Sequence, residues 1–480
     1  MVGKKLVSQT FVYGIASLLI NGSNFFLIPF YTHYLSTAEY GIISSVILFS
    51  TFTTSFMGFG LNGAVTRFYF DYEANDFKKF LFTIFALQTL VSFLIAFSFT
   101  FFNGLFLNSL FNNVPYDPFL KYGIWIGFAG VFAALPLALL QVKSKALLYR
   151  AFTTASFIAL TSLMIYFVVI KKEGSIGGVK ASLFANIIMA VLYSIYVLRN
   201  SKFNFNPAYA RIALLFSLPL MVYAIFGTLT EVSSKYFIEK FVSLSELGVY
   251  NVAQQFSAII LLLVNAINMA WTPIFYATAK VNESSELFRS FGKLFIFSLA
   301  LFGLSLSLFS DEIVLLLMPS SYYEAAKYMP ILILAYIIGN GFWILLINPL
   351  TFSKKTVYLP ILTVFSGSIS IVLNVILIPK FGALGAAFST LATYFVLIAA
   401  AYFPFRKFSK VNYNIQSMTW MVLIAIILYV TSTFITFNSL TLTIIFKLVV
   451  LAFFLLSLMQ LKIYSIAEIK NFFKSHFDII

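Results

Sequence analysis

The sequence predicts an all-α polytopic membrane protein of about fourteen transmembrane helices: two pseudo-symmetric six-helix bundles plus two extra C-terminal helices. Three observations carry this. Of 480 residues, 61% are hydrophobic and only 10% charged, more apolar surface than a soluble domain can bury. Apolar runs of about 20 residues, the length that crosses a bilayer, recur along the whole chain. Short motifs repeat at one constant offset of 207 residues.

The first six predicted spans lie near 10–31, 42–62, 80–102, 119–142, 151–170 and 178–198. The next six lie near 213–238, 248–276, 288–309, 328–350, 357–379 and 382–404. The last two lie near 416–437 and 440–461. The start, "MVGKKLVSQT", has no small-residue cleavage site after it, so the first span is expected to be retained. Charge tests the count. With the N-terminus inside, 22 of the 31 basic residues fall in cytoplasmic segments, seven in outer loops and two, Lys235 and Lys447, within spans. One miscounted span would invert every later loop and erase that asymmetry. The expected protein is therefore multi-pass, with both termini cytoplasmic.

"STAEYG" from Ser36 and "SLSELG" from Ser243 share Ser-x-x-Glu-x-Gly. The same offset sets Phe68-Tyr69 on Phe275-Tyr276, and "GSIGGVKASLFA" from Gly174 on "FGALGAAFSTLA" from Phe381. The expected division is an N-lobe over 1–212 (spans 1–6) and a C-lobe over 213–410 (spans 7–12). Residues 411–480 hold spans 13–14 and a tail. An even number of spans per repeat gives both lobes one orientation, with a pseudo-twofold along the membrane normal and a cavity between them. Ser36 with Glu39, and Ser243 with Glu246, read as capping boxes that start the second helix of each half; substrate contact is the other reading. Gly178, Gly382 and Gly385 read as sites of close helix packing.

Composition excludes several classes. Without cysteine there are no disulfides and no thiolate metal sites. The only histidines are His33 and His476, and no His/Asp/Glu cluster has metal spacing. The net charge of +15 belongs to cytoplasmic loops rather than to a nucleic-acid surface. No loop is long enough for a catalytic domain, which argues against an enzyme such as a polymerase or glycosyltransferase.

Charge inside a span is the strongest functional signal. Glu231 and Lys235 sit within predicted span 7, although each costs about 2.5–3.5 kcal/mol at a helix centre. Four residues apart, they share a face and can pair. Either they neutralise each other at a helix contact, or both face a water-filled cavity. At the offset of 207, Glu231 falls on Asn24, a second polar position at the same depth. Arg67 ends span 2 with Asp71 four residues on, and Lys447 lies within span 14. Arg67 also reads as an interfacial anchor, and Lys447 as a side chain that snorkels. Amides including Gln254, Asn268, Asn348 and Asn374 read as sugar contacts or as links between helices, and Trp271 and Tyr276 as stacking platforms or belts.

"NFFLIPFYTHYLSTAEYGIIS" from Asn24, "SKYFIEKFVSLSELGVYNVAQQFS" from Ser234 and "LNVILIPKFGALGAAFSTLATY" from Leu373 resemble signatures of bacterial polysaccharide-unit flippases of the Wzx type. That family sits within a multidrug and oligosaccharidyl-lipid exporter superfamily. The resemblance implies that undecaprenyl-pyrophosphate-linked oligosaccharide repeat units move from the cytoplasmic to the outer leaflet of the bacterial plasma membrane, by alternating access, for O-antigen or capsule. It implies a lipid-linked oligosaccharide and membrane lipids as ligands, and a polysaccharide polymerase and a chain-length regulator as partners. No cofactor is implied beyond a coupling cation, Na+ or H+. On this reading Lys235, Arg67 and Lys447 hold the pyrophosphate, with Glu231, Asn24 and Asp71 beside them. A cation-coupled multidrug antiporter of the same superfamily is the alternative; it favours a more acidic cavity than one in which Glu231 is essentially the sole acid.

Overall fold

A computed structural model describes residues 28–102, 111–279, 285–409, 411–435, 437 and 439–460. Among them every regular element is helical, and twelve stretches are long and apolar enough to cross a membrane. In chain order the helices begin with α1 (Thr37–Met57), α2 (Leu61–Phe68), α3 (Ala74–Phe102), α4 (Tyr116–Val142) and α5 (Ala146–Ile170). Next come α6 (Gly174–Arg199), α7 (Pro207–Phe241), α8 (Leu244–Ser257), α9 (Ile259–Thr278) and α10 (Ser285–Leu308). The last are α11 (Ser310–Leu317), α12 (Ala325–Phe352), α13 (Tyr358–Phe408), α14 (Ile415–Thr433) and α15 (Leu440–Gln460).

Each predicted span from the second onward has a helix. Most of the first span lies outside the described residues. The two spans predicted at 357–379 and 382–404 are both within α13, whose 51 residues would measure about 75 Å if straight, over twice the hydrocarbon core. A break at Gly382 (φ 59°, ψ −141°) divides it. Nothing lies within 4 Å of the Cβ position there, so this glycine supplies backbone freedom rather than the close packing predicted for it. The span predicted at 42–62 ends early, at Met57. Gly60 takes φ +64° against α7, and the short α2 follows.

The helices pack into two compact units. The first is Phe30–Asn251 with Gly367–Ala386; the second holds Val252–Ser366 and the described part of Ala387–Ile480. In the first, α1 packs along α4 and α7, and α6 packs on α4 and α5. A dry cluster joins Leu61 and Val65 of α2 to Phe80 and Leu81 of α3 and Leu139 of α4. In the second, α10 packs on α12 and α14, and Leu304 and Leu308 meet Met421, Phe454 and Leu458. Leu147, Ile158 and Ile170 of α5 are exposed, as side chains facing hydrocarbon must be.

Both predicted helix starts are capped by their serines. The Ser36 nitrogen donates to Glu39 Oε2 at 2.9 Å, and the Glu39 nitrogen donates to Ser36 Oγ at 3.3 Å. The Glu246 nitrogen donates to Ser243 Oγ at 3.1 Å. The repeat also has a spatial counterpart within the first unit. Gly41 packs on the Leu244 carbonyl, and Gly248 packs on the Thr37 carbonyl. Each contact becomes the other at the offset of 207. Thr37 and Ser245 hydroxyls join the same crossing at 2.6 Å.

Candidate functional site

Helix α7 carries a polar seam along its C-terminal half, all within the first unit. Its first face meets α1 and α8. Thr228 Oγ1 is 2.9 Å from Ser55 Oγ, and Lys235 Nζ donates to Asn251 Oδ1 at 2.7 Å. Tyr40 of α1 is hydrogen-bonded to the same Asn251. The other face meets the first-unit part of α13. Ser233 Oγ is 2.9 Å from Ser370 Oγ, Asn374 Nδ2 donates to Ser233 Oγ at 2.9 Å, and Ser234 Oγ donates to Asn374 Oδ1 at 3.2 Å. Ser233, Ser234, Asn251, Ser370 and Asn374 are buried and hydrogen-bonded, as polar atoms in hydrocarbon must be.

Lys235 and Glu231 do not form the ion pair that their spacing permits. Among the described residues no carboxylate lies within ion-pair distance of Lys235; Glu231, exposed one turn away, attracts it only at longer range. Asn251 orients the ammonium but, being neutral, cannot cancel its charge. Two of its three donors stay available. The half-buried Lys235 is therefore a cation held inside a membrane-spanning helix with capacity for an anion.

The remaining predicted residues separate. Arg67, in the last turn of α2, pairs through Nη1 with Asp71 Oδ1 just beyond it at 2.8 Å, largely exposed. Lys447 instead lies in the second unit, where Nζ donates to Glu312 at 2.6 and 2.8 Å, and its side chain is 13% exposed. Asn24 lies outside the described residues. Trp271 is buried and stacked on Phe291 at 3.5 Å, so its ring serves the core rather than a sugar face. Asn268 and Asn348 join to each other at 3.3 Å, linking α9 to α12.

Sequence reasoning missed Asn251, Glu239 and Glu312. Glu239, in the last turn of α7, is fully buried; its Oε1 accepts from the Asn113 nitrogen at 2.7 Å, and Asn113 Nδ2 donates to its carbonyl at 2.6 Å. The buried carboxylate thus fastens the segment before α4 to α7. Glu239→Ala is expected to destabilise the purified protein by about 1–3 kcal/mol, because it strands a donor. Glu239→Gln, which keeps the acceptor, should recover most of this in thermal unfolding. Equal melting of the alanine variant and the parent would rule the clasp out.

The structure is thus a polytopic helical membrane protein with a lysine held inside one of its spans. Residues 6–279 match the family described as Polysaccharide biosynthesis protein, and the chain belongs to that family. An "Uncharacterized membrane protein" of Haemophilus influenzae is 25% identical over 400 residues, covering 79% of this chain and 94% of that one. Among solved structures, "Lipid II flippase MurJ, inward closed conformation" is similar with a TM-score of 0.74 and 16% identity, over 94% of this chain and 99% of that one. A multidrug resistance MATE family transporter of the MOP superfamily, in an inward-facing conformation, is similar with a TM-score of 0.62 and 13% identity. That similarity covers 83% of this chain and 97% of that one. The fold is thus the one these flippases and multidrug transporters share.

Proposed function

We propose that this protein flips undecaprenyl-pyrophosphate-linked oligosaccharide repeat units from the cytoplasmic to the outer leaflet of the bacterial plasma membrane, by alternating access, for surface polysaccharide such as O-antigen or capsule. The observation that carries the reading is the Lys235 ammonium, held in a span by an amide, with no carboxylate among the described residues within ion-pair distance. A lipid pyrophosphate carries fixed negative charge and cannot enter hydrocarbon unaided. A lysine with spare donors replaces part of its hydration. Membership of the polysaccharide biosynthesis family supports the substrate class.

In this scheme Lys235 holds the pyrophosphate and Glu231, one turn away, orients and releases it. Asn24 contributes from the first half. Arg67, with Asp71, meets the headgroup near the membrane surface. Lys447 has a carboxylate partner of its own and a correspondingly smaller part. A coupling cation, H+ or Na+, and contacts with a polymerase and a chain-length regulator belong to the same proposal.

Lys235→Ala is expected to reduce surface polysaccharide export at least about tenfold at equal protein level, the loss of one charge-assisted contact. Lys235→Arg should retain part of it. Normal export by the alanine variant would remove Lys235 from the mechanism. A multidrug antiporter is the second reading, favoured by the exposed Glu231 and by the MATE-like fold. It predicts raised sensitivity to cationic drugs in a Glu231→Gln strain, with polysaccharide unchanged.

A further inference from the structure

We infer that a phosphate-bearing ligand, of the kind presented by an anionic phospholipid headgroup, binds a polar cavity in the second unit where α10, α13 and α14 meet. The cavity measures about 620 Å³ and is lined mainly by polar surface, unlike the apolar grooves elsewhere on the molecule. Arg289, near the start of α10, and Arg406, at the end of α13, both line it. Ser409, Asn412, Asn414 and Gln416 supply further polar atoms from the connection into α14.

Arginine is scarce in this chain: it accounts for six of the 31 basic residues, and two of the six share this cavity. The choice matters chemically. A guanidinium presents a planar fork that matches phosphate oxygens two at a time, whereas lysine offers only a point charge. Neither arginine has a carboxylate within ion-pair distance among the described residues. Each is instead held by a neutral group. Asn412, with its amide turned to accept, receives Arg289 Nη2 at 2.9 Å. The Arg406 guanidinium lies 5.9 Å from the Tyr402 ring centre. These contacts fix orientation and leave both charges and most donors unspent.

Helix α14 also begins at the cavity, and the N-terminus of a 19-residue helix adds partial positive charge. Because α10 and α14 start here and α13 ends here, the cavity sits at one membrane face. The charge distribution predicts that face to be cytoplasmic, where the protein's basic residues accumulate and anionic phospholipid headgroups attract them. Phe403 and Trp420 are exposed, next in sequence to the lining residue Tyr402 and one turn beyond the lining residue Gln416, so apolar side chains for an acyl-bearing ligand stand on the same two helices. This inference is independent of what the protein transports.

The test is native mass spectrometry on the full-length protein in detergent, titrated with phosphatidylglycerol, with diacylglycerol and with inorganic phosphate. Phosphatidylglycerol should bind wild type at least about tenfold more tightly than Arg289→Gln/Arg406→Gln, as lost charge-assisted contacts require. Diacylglycerol should not distinguish them. The lysine pair Arg289→Lys/Arg406→Lys should fall between. If inorganic phosphate alone binds wild type and is lost from the double variant, the site takes a free anion, and the shared phosphate chemistry still stands. If neither phosphatidylglycerol nor phosphate discriminates between wild type and the folded variants, single or double, the inference is overturned.

Discussion

Gly41→Val is expected to separate α1 from α8 and to cost about 3 kcal/mol or more, at or beyond the upper end of the usual penalty for overpacking. A side chain added there meets backbone, not a side chain that can rotate away. The Cβ position collides with the Leu244 carbonyl and lies 3.1 Å from the Leu244 Cα. Gly248→Val should do the same from the opposite side, against the Thr37 carbonyl and, at 3.2 Å, the Gly41 nitrogen. The two effects should be similar in size, because the offset of 207 exchanges one contact for the other. Separation would also break the hydrogen bond between Thr37 and Ser245.

The sequence contains no cysteine, so this crossing can be probed without background. Thr37→Cys with Ser245→Cys, oxidised in membranes, should cross-link efficiently in the parent and poorly once valine is added at position 41. Thermal unfolding of the purified variants gives the second readout. Unchanged cross-linking together with unchanged melting in both valine variants would show that the glycines are not needed for close approach. A loss in one variant only would show that the repeat is not expressed as a symmetric contact.

Most of the fold was legible because hydrocarbon imposes one rule: a helix about 20 apolar residues long. Helices α4, α6 and α14 satisfy it within about four residues of the predicted limits, while α3 begins six residues earlier than predicted. The elements that escaped are those the rule does not govern. Helices α2 and α11 are eight residues each, too short to register as spans. The glycine at 382 resembled a packing residue because sequence cannot distinguish a missing side chain that admits a neighbour from one that admits a positive φ.

The site was partly legible for a related reason. A lysine in an apolar run announces itself through its transfer cost, and Lys235 was found that way. Its partner did not, because Asn251 is one amide among many and becomes significant only when α8 sets it 2.7 Å from the ammonium. The spacing of Glu231 and Lys235 permitted a pair, but the ammonium is directed at Asn251. Glu239 stands one residue beyond the predicted limit of span 7 and was not singled out, although it is fully buried. The sequence reading thus undercounted acids within the helices, which weakens its argument from acid content against a cation-coupled antiporter.

Lys447→Met is expected to destabilise the second unit by about 3–5 kcal/mol, whereas Lys447→Met with Glu312→Leu should restore most of that loss. The ammonium and the carboxylate are 13% and 22% exposed, and two short hydrogen bonds join them across 135 residues of sequence. Phe309 adds a ring face 5.6 Å from Nζ. Removing one partner leaves a poorly hydrated charge in an apolar bundle; removing both replaces the pair by side chains that α10, α14 and α15 can pack around. The single variant therefore measures mainly the penalty of an orphaned charge, and the double variant the net worth of the pair. Export separates structure from transport. If Lys447 serves only this pair, the double variant should export normally once its stability is recovered. If stability returns but export does not, the Lys447 ammonium has a part in transport beyond its pair with Glu312.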